Sequence, residues 1–221
     1  GNEAAGVVIE VGAGVSTFRP GDEVVCLCQG CHAEQVVCTA SQVFAKPASW
    51  SFEEACALPI VGITMIDAFG KAALARGERI LIQTATGGTG LIAVQLAMHR
   101  GAEIFATAGS EAKLRYLREL GITHTINYRT EDFAQELARL APGGVNVVIN
   151  TLGGDALQKG IDSLGPGGRY IEIAMTSLPL ALLATNIGPS DAESYATIIN
   201  SENQKQGAYA VGDQVPGANN S

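Results

Sequence analysis

The feature that most constrains this chain is a regular alternation of short apolar runs and helix-period segments between residues 79 and 174. Predicted strands at 79–84, 103–107, 123–127, 146–150 and 169–174 alternate with predicted helices at 91–100, 110–120, 131–141 and 155–164. The first strand contains a continuous apolar run, Ile80-Leu81-Ile82, as expected of a parallel strand covered on both faces. Parallel strands need crossovers, which are nearly always right-handed, so the pattern predicts an α/β fold with a doubly wound parallel sheet of the Rossmann type.

The residues before this alternation are β-rich. Short valine-rich runs at 5–11, 23–28, 33–39 and 43–46 are separated by glycine and proline breakers. Ser51 and Glu54 form a predicted capping box that opens a helical region, and Pro59 stands near the start of a second helix reaching about Leu74. We therefore expect a β-rich part over residues 1–55, an α/β domain over 56–177 and a divergent, partly irregular segment over 178–221.

Composition excludes several classes of partner. Fourteen Lys and Arg against 22 Asp and Glu give a net charge of −8, so phosphate backbones and anionic lipid surfaces would repel the chain. No apolar run reaches the roughly 20 residues that span a bilayer, and the first residues lack the order of a signal peptide. Five cysteines, an odd number, do not suggest a disulfide framework. We expect a cytoplasmic protein that binds neither nucleic acid nor membrane.

The most informative motif is the glycine-rich run from Thr84 to Gly90, which lies between a predicted strand and a predicted helix. Gly88 is expected to allow a tight turn, Gly90 to let the backbone approach a pyrophosphate, and Ala93 to keep the helix close to the strand. The free amides and the positive end of the helix would then face the phosphates. The motif predicts a dinucleotide-binding loop.

The residues after the second strand favour NADP(H) over NAD(H). NAD sites of this type usually carry an acidic residue about 20 residues after the loop, where it binds the ribose 2′-hydroxyl. Here residues 106–110 read Ala-Thr-Ala-Gly-Ser, with no acid. Lys113 lies one helical turn after Ser110, while Tyr128 and the adjoining Arg129 follow the third strand, from which they could reach the same pocket.

Several motifs together resemble the zinc-independent branch of the medium-chain dehydrogenase/reductase superfamily. They are Gly1-Asn2-Glu3-Ala4-Ala5-Gly6, Gly21-Asp22-Glu23-Val24, Ser51-Phe52-Glu53-Glu54-Ala55, Leu58-Pro59, the glycine loop, and Asn127-Tyr128. Within that branch, Asn150-Thr151-Leu152-Gly153-Gly154-Asp155 and Gly167-Gly168-Arg169-Tyr170-Ile171-Glu172 look most like enoyl reductases of modular polyketide synthases. The resemblance covers about residues 1–177 and makes 1–55 part of a catalytic domain and 56–177 the NADP-binding domain. The same likeness suggests a truncated chain, because the family has further residues before Gly1 and a segment after Ser177 that returns to the first domain.

This resemblance implies hydride transfer from NADPH to the β-carbon of an α,β-unsaturated thioester on an acyl carrier protein. It places Thr64 near the nicotinamide, with Asn150 and Ala174 lining that pocket. The predicted cofactor-binding residues are Thr64, Thr86, Gly87, Gly88, Thr89, Gly90, Ser110, Lys113, Tyr128, Asn150 and Ala174. Other synthase domains are the implied partners, and a homodimer stays open.

Two positions depart from the polyketide pattern. Ile66 stands where some of these reductases have a tyrosine proposed as proton donor, and Met175 stands where many have a lysine. Neither side chain can donate a proton, so we name no catalytic acid; water and Asp67 are alternatives. Three other readings stay open: hydride delivery that closes a ring, a free-standing quinone oxidoreductase-like reductase of enones or quinones, and a nucleotide-binding module without activity.

Four cysteines at positions 26, 28, 31 and 38 raise the question of a metal site. Their spacing lacks the paired C-x2-C units of structural zinc sites, and Cys26 and Cys28 fall in a predicted strand. We therefore expect ordinary core residues and no metal, with structural zinc as the alternative. Catalytic zinc is disfavoured because Asn2 stands where zinc-dependent relatives have a ligand histidine.

Overall fold

A computed structural model describes residues 1–173 and the strand at 195–198. The chain divides into two compact units, Gly1–Ile66 and Asp67–Ser221, and the boundary falls inside a helix. The expected strand or helix at 178–184 lies outside the described residues, as do Ala174 and Met175. Among the helices that the structure describes, none is long and apolar enough to cross a membrane.

The first unit is built on a three-stranded antiparallel sheet in the order β1-β2-β3. Its strands are β1 (Glu3–Val7), β2 (Glu23–Leu27) and β3 (Val43–Ala45), and helices α1 (Phe52–Cys56) and α2 (Pro59–Ala72) follow. The capping box is confirmed: Glu54 N donates to Ser51 Oγ at 3.1 Å, and Ser51 N donates to Glu54 Oε2 at 2.9 Å.

One predicted strand of this unit is wrong. Residues 33–39 form no strand, and Val37, which the apolar pattern placed in it, is 98% exposed. The run pairs with no neighbouring strand in the described part of the chain. Valine-rich sequence is therefore not sufficient here, because a strand is stabilised by cross-strand pairing and burial of one face.

The second unit confirms the doubly wound parallel sheet. Among the described residues, six strands are parallel and lie in the order β6-β5-β4-β7-β8-β9. The strands are β4 (Arg79–Ile82), β5 (Glu103–Ala108), β6 (His124–Asn127), β7 (Val145–Asn150), β8 (Leu164–Glu172) and β9 (Tyr195–Ile198). The connecting helices are α3 (Gly88–Arg100), α4 (Glu111–Glu119), α5 (Phe133–Leu140) and α6 (Ala156–Asp162).

The order of the strands fixes where a ligand can bind. From β4 the chain proceeds outward on one side through β5 and β6, then returns to place β7 on the other side of β4. The crevice at the carboxyl ends of β4 and β7 is thus the switch point of the sheet, where ligands of such folds bind. Beneath it lies a packed core that includes Leu81, Phe105 and Val148, all fully buried.

Candidate functional site

The loop that follows β4 is held by both neighbouring strands. Thr84 N donates to Thr107 Oγ1 at 3.1 Å, and Ala85 N donates to the Thr107 carbonyl at 2.8 Å. On the other side, the Thr84 hydroxyl is hydrogen bonded to the hydroxyl of Thr151, just after β7. Thr84 has a φ of +48°, a left-handed conformation that a β-branched residue adopts only when its surroundings impose it. Hydrogen bonds to Thr107 and Thr151 therefore fix this loop at the switch point of the sheet.

The loop leads into an uncapped helix N-terminus. Gly87 is the N-cap of α3, and no side chain caps the helix there. The first-turn amides of Gly88, Thr89 and Gly90 have no acceptor one turn earlier within the helix, and that turn carries no acid. Gly87 and Gly88 are exposed, whereas Thr86 and Thr89 are half-buried. Free amides at the positive end of a 13-residue helix can bind an anion such as a diphosphate.

Gly90 has a packing role in addition to the one its sequence position predicts. We expected its missing side chain to make room for a pyrophosphate. The structure does not test that expectation, but it shows that a Cβ on Gly90 would lie 2.4 Å from the Thr84 carbonyl oxygen and 2.7 Å from Ala85 Cα. Gly90 thus allows the first turn of α3 to pack directly on the backbone of its own loop. Ala93, expected to keep the helix close to the strand, is fully buried.

A second group of predicted residues meets at the carboxyl ends of β5 and β6. A Cβ on Gly109 would lie 2.7 Å from the Tyr128 hydroxyl oxygen and 3.0 Å from Arg129 Nε, so both side chains cover this glycine. Ser110 is the N-cap of α4, but its side chain makes no capping hydrogen bond. Lys113 is exposed on the first turn of the same helix. The group offers a guanidinium and a phenol hydroxyl beside an uncapped helix.

Asn150, at the end of β7, is fully buried and engaged by the protein itself. Its Nδ2 donates to the Leu152 carbonyl and to Glu172 Oε2, both at 2.7 Å, and its Oδ1 accepts from Leu152 N at 3.2 Å. Tyr170 also donates to Glu172 Oε2, at 3.2 Å. Burial, and then the neighbouring Glu172, raise the pKa of Tyr170 above its usual range. Asn150 therefore positions the loop after β7, since both of its amide hydrogens are already donated.

Other predicted residues are less informative. Thr64 is half-buried on α2, in the first unit, and Ala174 lies outside the described residues. Ile66 is 64% exposed. Asp67, the alternative proton donor, forms an exposed ion pair with Lys71 at 2.7 Å, one turn along the same helix.

Gln83 is a residue of this region that sequence reasoning missed. It directly follows β4 and its N–H continues the pairing with β7 by donating to the Ile149 carbonyl at 3.0 Å. Its side chain is 0% exposed, and neither its amide oxygen nor its amide nitrogen has a hydrogen-bond partner among the described residues. The available signal was a polar residue at the end of an otherwise apolar strand, next to the glycine loop.

Two family models match the chain. The model described as zinc-binding dehydrogenase matches residues 88–210, more than half of the chain, and the alcohol dehydrogenase GroES-like domain matches residues 1–59. These two matches follow the same order along the chain as the β-rich part and the parallel sheet described above.

Curated relatives include polyketide synthases of a fungus and a bacterium. The chain is 40% identical over 182 residues to a highly reducing polyketide synthase of Didymella fabae, covering 80% of the chain and 10% of that protein. It is 42% identical over 181 residues to the spectinabilin polyketide synthase system protein NorB of Streptomyces orinoci, covering 80% and 8%. The chain thus spans about a tenth of these relatives.

Solved structures of reductases show the same likeness. The JamJ enoyl reductase (apo form) superposes with a TM-score of 0.83 at 37% identity, over 93% of this chain and 62% of that one. The CurF ER cyclopropanase from the curacin A pathway gives 0.80 at 35% identity, over 92% and 61%. An Escherichia coli quinone oxidoreductase complexed with NADPH gives 0.79 at 30% identity, over 90% and 62%.

The strand order, the loop after β4 and the match of more than half of the chain to one family model agree with one another. The chain belongs to the medium-chain dehydrogenase/reductase family and has an enoyl reductase-like fold.

Proposed function

We propose that the protein is the NADPH-dependent enoyl reductase domain of a polyketide synthase. The observation that carries this proposal is the uncapped N-terminus of α3 at the switch point, in a chain whose relatives include polyketide synthases and an enoyl reductase. Acyl carrier protein and neighbouring synthase domains are the proposed partners, and a homodimer is one arrangement that sizing of the purified protein would test.

The residues of the loop fit a dinucleotide. First-turn amides of α3 face an end of the sheet where a diphosphate would accept their hydrogen bonds, and Gly87 and Gly88 present no side chains to obstruct it. Thr86 and Thr89 lie on either side of these glycines with hydroxyls that can donate to phosphate. When bound there, the nicotinamide cofactor would supply the hydride.

Preference for NADPH over NADH is proposed from the residues around Gly109. The Arg129 guanidinium carries a fixed positive charge that can bind a 2′-phosphate, and the Tyr128 hydroxyl next to it can donate a hydrogen bond. Ser110 and Lys113 extend the same end of α4. No acid occupies residues 106–110, where a carboxylate would repel that phosphate. The structural relative from E. coli was solved with NADPH, which supports the same choice.

Substitution of Arg129 tests this preference. We expect Arg129→Gln to weaken NADPH binding by about tenfold or more, the effect of losing one charge-assisted hydrogen bond, with NADH binding little changed. Arg76→Gln is the matched control, because exposed Arg76 precedes β4 and so lies at the opposite end of that strand from the loop. Equal losses for the two nucleotides, or equal effects of the two variants, would contradict the NADPH assignment.

The proposed reaction adds hydride to the β-carbon of an α,β-unsaturated thioester and a proton to its α-carbon. Ile66 cannot donate that proton, and Asp67 is engaged by Lys71. We therefore propose that the proton comes from water. The contribution of the chain itself is positional: Thr84, Thr107 and Thr151 hold the loop that would orient the cofactor.

Turnover with isotopes tests the reaction directly. NADPH carrying deuterium at the transferred position should place deuterium on the β-carbon of an enoyl thioester of an acyl carrier protein, and D2O should place it on the α-carbon. Rapid oxidation of NADPH by quinones with no reduction of the thioester would instead indicate a free-standing quinone reductase. Binding of NADPH with turnover of neither substrate would indicate a nucleotide-binding module.

A second candidate, ring closure, is favoured by two observations. The CurF ER cyclopropanase is as similar to this chain as the reductases are, and Ile66 offers no proton to the α-carbon. A substrate with a leaving group on the γ-carbon could use its α-carbon electron pair, after the same hydride addition, to displace that group and form a three-membered ring. A γ-halogenated enoyl thioester would then yield halide and a cyclopropane, whereas simple reduction would retain the carbon–halogen bond.

A further inference from the structure

Three cysteines of the first unit converge at the end of β2. Cys26 lies on the strand, Cys28 directly follows it, and Cys31 comes after a turn in which Gly30 has a φ of +86°. That turn is fixed by the first two residues, because Cys28 N donates to the Asn2 carbonyl and Cys31 N donates to the Gly1 carbonyl, both at 3.1 Å. These hydrogen bonds therefore fix the backbone that carries Cys28 and Cys31.

The separations of the sulfur atoms match a tetrahedral metal site. Cys28 Sγ lies 3.5 Å from Cys31 Sγ and 3.9 Å from Cys26 Sγ, and all three atoms lie within 4.8 Å of one another. Two thiolates on a tetrahedral zinc ion, with Zn–S bonds of about 2.3 Å, stand about 3.8 Å apart. The thiols are free, and a disulfide would need the sulfur atoms of one pair to approach to about 2.05 Å.

Core packing alone does not account for this arrangement. Cys26 is 6% exposed, as a core residue would be, but Cys28 and Cys31 are only half-buried and their sulfur atoms contact one another. Free cysteines that act as small hydrophobes are among the most buried residue types, whereas two of these three thiols are partly exposed. Three soft sulfur ligands at this spacing are instead suited to Zn²⁺ or Cu⁺.

We propose that Cys26, Cys28 and Cys31 bind a thiophilic metal ion, with Zn²⁺ as the cation assigned. Binding would release the three thiol protons to solvent as three S–Zn bonds form, with no change of oxidation state. Cys38, which is half-buried further along the chain, or a water molecule completes the coordination. The three thiols belong to the first unit, and Asn2 contributes only its backbone.

Cobalt titration tests the site in the whole chain, purified under reducing conditions. We expect one Co²⁺ per chain, with thiolate-to-cobalt charge-transfer bands and visible bands of tetrahedral intensity, and displacement of Co²⁺ by Zn²⁺. Cys31→Ser should weaken binding by about a hundredfold or more, since ligand loss exceeds the effect of losing an outer partner. Cys56→Ser is the matched control, because that thiol donates to the Glu53 carbonyl on α1 and stands apart from the cluster.

Each outcome decides the proposal. Retention of binding in Cys38→Ser would assign water to the fourth position, and its loss would assign Cys38; both support the site. Absence of cobalt bands in reduced, folded wild type would overturn it, as would equal binding by Cys31→Ser and Cys56→Ser. A Cys28–Cys31 disulfide that persists under the reducing conditions, found by thiol alkylation and mass spectrometry, would also overturn it. Circular dichroism of each variant separates ligand loss from unfolding.

Discussion

Replacing Gly90 by alanine should separate the packing role of this glycine from simple helix propensity. The added Cβ would lie 2.4 Å from the Thr84 carbonyl oxygen, about 1 Å inside the 3.4 Å at which ordinary contact begins. The other close atoms also belong to backbone, at 2.7 Å, so no side chain can rotate away. The first turn of α3 must therefore move by about 1 Å relative to its loop.

The energetic consequences can be estimated from this displacement. Overpacking costs about 1–3 kcal/mol, and alanine returns up to about 1 kcal/mol of helix propensity. We expect a net loss of about 1–2 kcal/mol, a fall in Tm of about 2–8 °C. Hydrogen bonds from the first-turn amides to a diphosphate would lengthen beyond the usual 3.2 Å, so NADPH should bind about ten- to a hundredfold more weakly.

Calorimetry measures both effects, and a second glycine provides the control. Gly70 is exposed on α2, and a Cβ there would have no heavy atom within 4 Å. Gly70→Ala should keep NADPH affinity and gain up to about 1 kcal/mol. If Gly90→Ala matched Gly70→Ala in both Tm and NADPH affinity, the close packing of α3 on its loop would not control the site, and the reasoning would be refuted.

Two further predictions concern stability. The Arg169 guanidinium forms paired hydrogen bonds with Glu78 at 2.8 and 2.6 Å and holds the pKa of that carboxyl below its usual range. The ionised carboxyl contributes its full stabilisation above the unfolded pKa, which is about 4.3, and this contribution is lost as pH falls through the lower folded pKa. Glu78→Gln should therefore lower the free energy of unfolding by about 1–3 kcal/mol at pH 7 and by progressively less in acid. Urea unfolding at pH 7 and in acid measures this cost, and a cost that does not change with pH would contradict the prediction. Gln83→Met removes two buried polar atoms that lack partners among the described residues and should raise the free energy of unfolding by about 1 kcal/mol; a loss of stability would show that Gln83 has a partner such as a buried water.

The parallel sheet was predictable because its signals are local. Each strand is a short apolar run, and helices such as α3 end at glycines with positive φ, as Gly101 does at +68°. The strand predicted at 33–39 failed because its valines have the right residue type but no pairing partner in the described structure. Pairing is a long-range property that one stretch of sequence does not contain.

The grouping of side chains after β5 and β6 was predictable because these neighbouring parallel strands determine it. Tyr128 was expected near Ser110 because β5 and β6 are adjacent and parallel, and the structure places Tyr128 and Arg129 over Gly109. The convergence of Cys26, Cys28 and Cys31 was missed because spacing rules assume paired ligands in one loop. Here alternation along β2 brings two thiols to one face, and the turn at Gly30 returns the third.

A crystal structure of the chain with NADP⁺ would test the central claim most directly. We predict diphosphate oxygens within hydrogen-bond distance of the first-turn amides of α3, at Thr89 and Gly90, and a 2′-phosphate against the guanidinium of Arg129. A dinucleotide bound elsewhere, or one whose diphosphate makes no contact with these amides, would contradict the account.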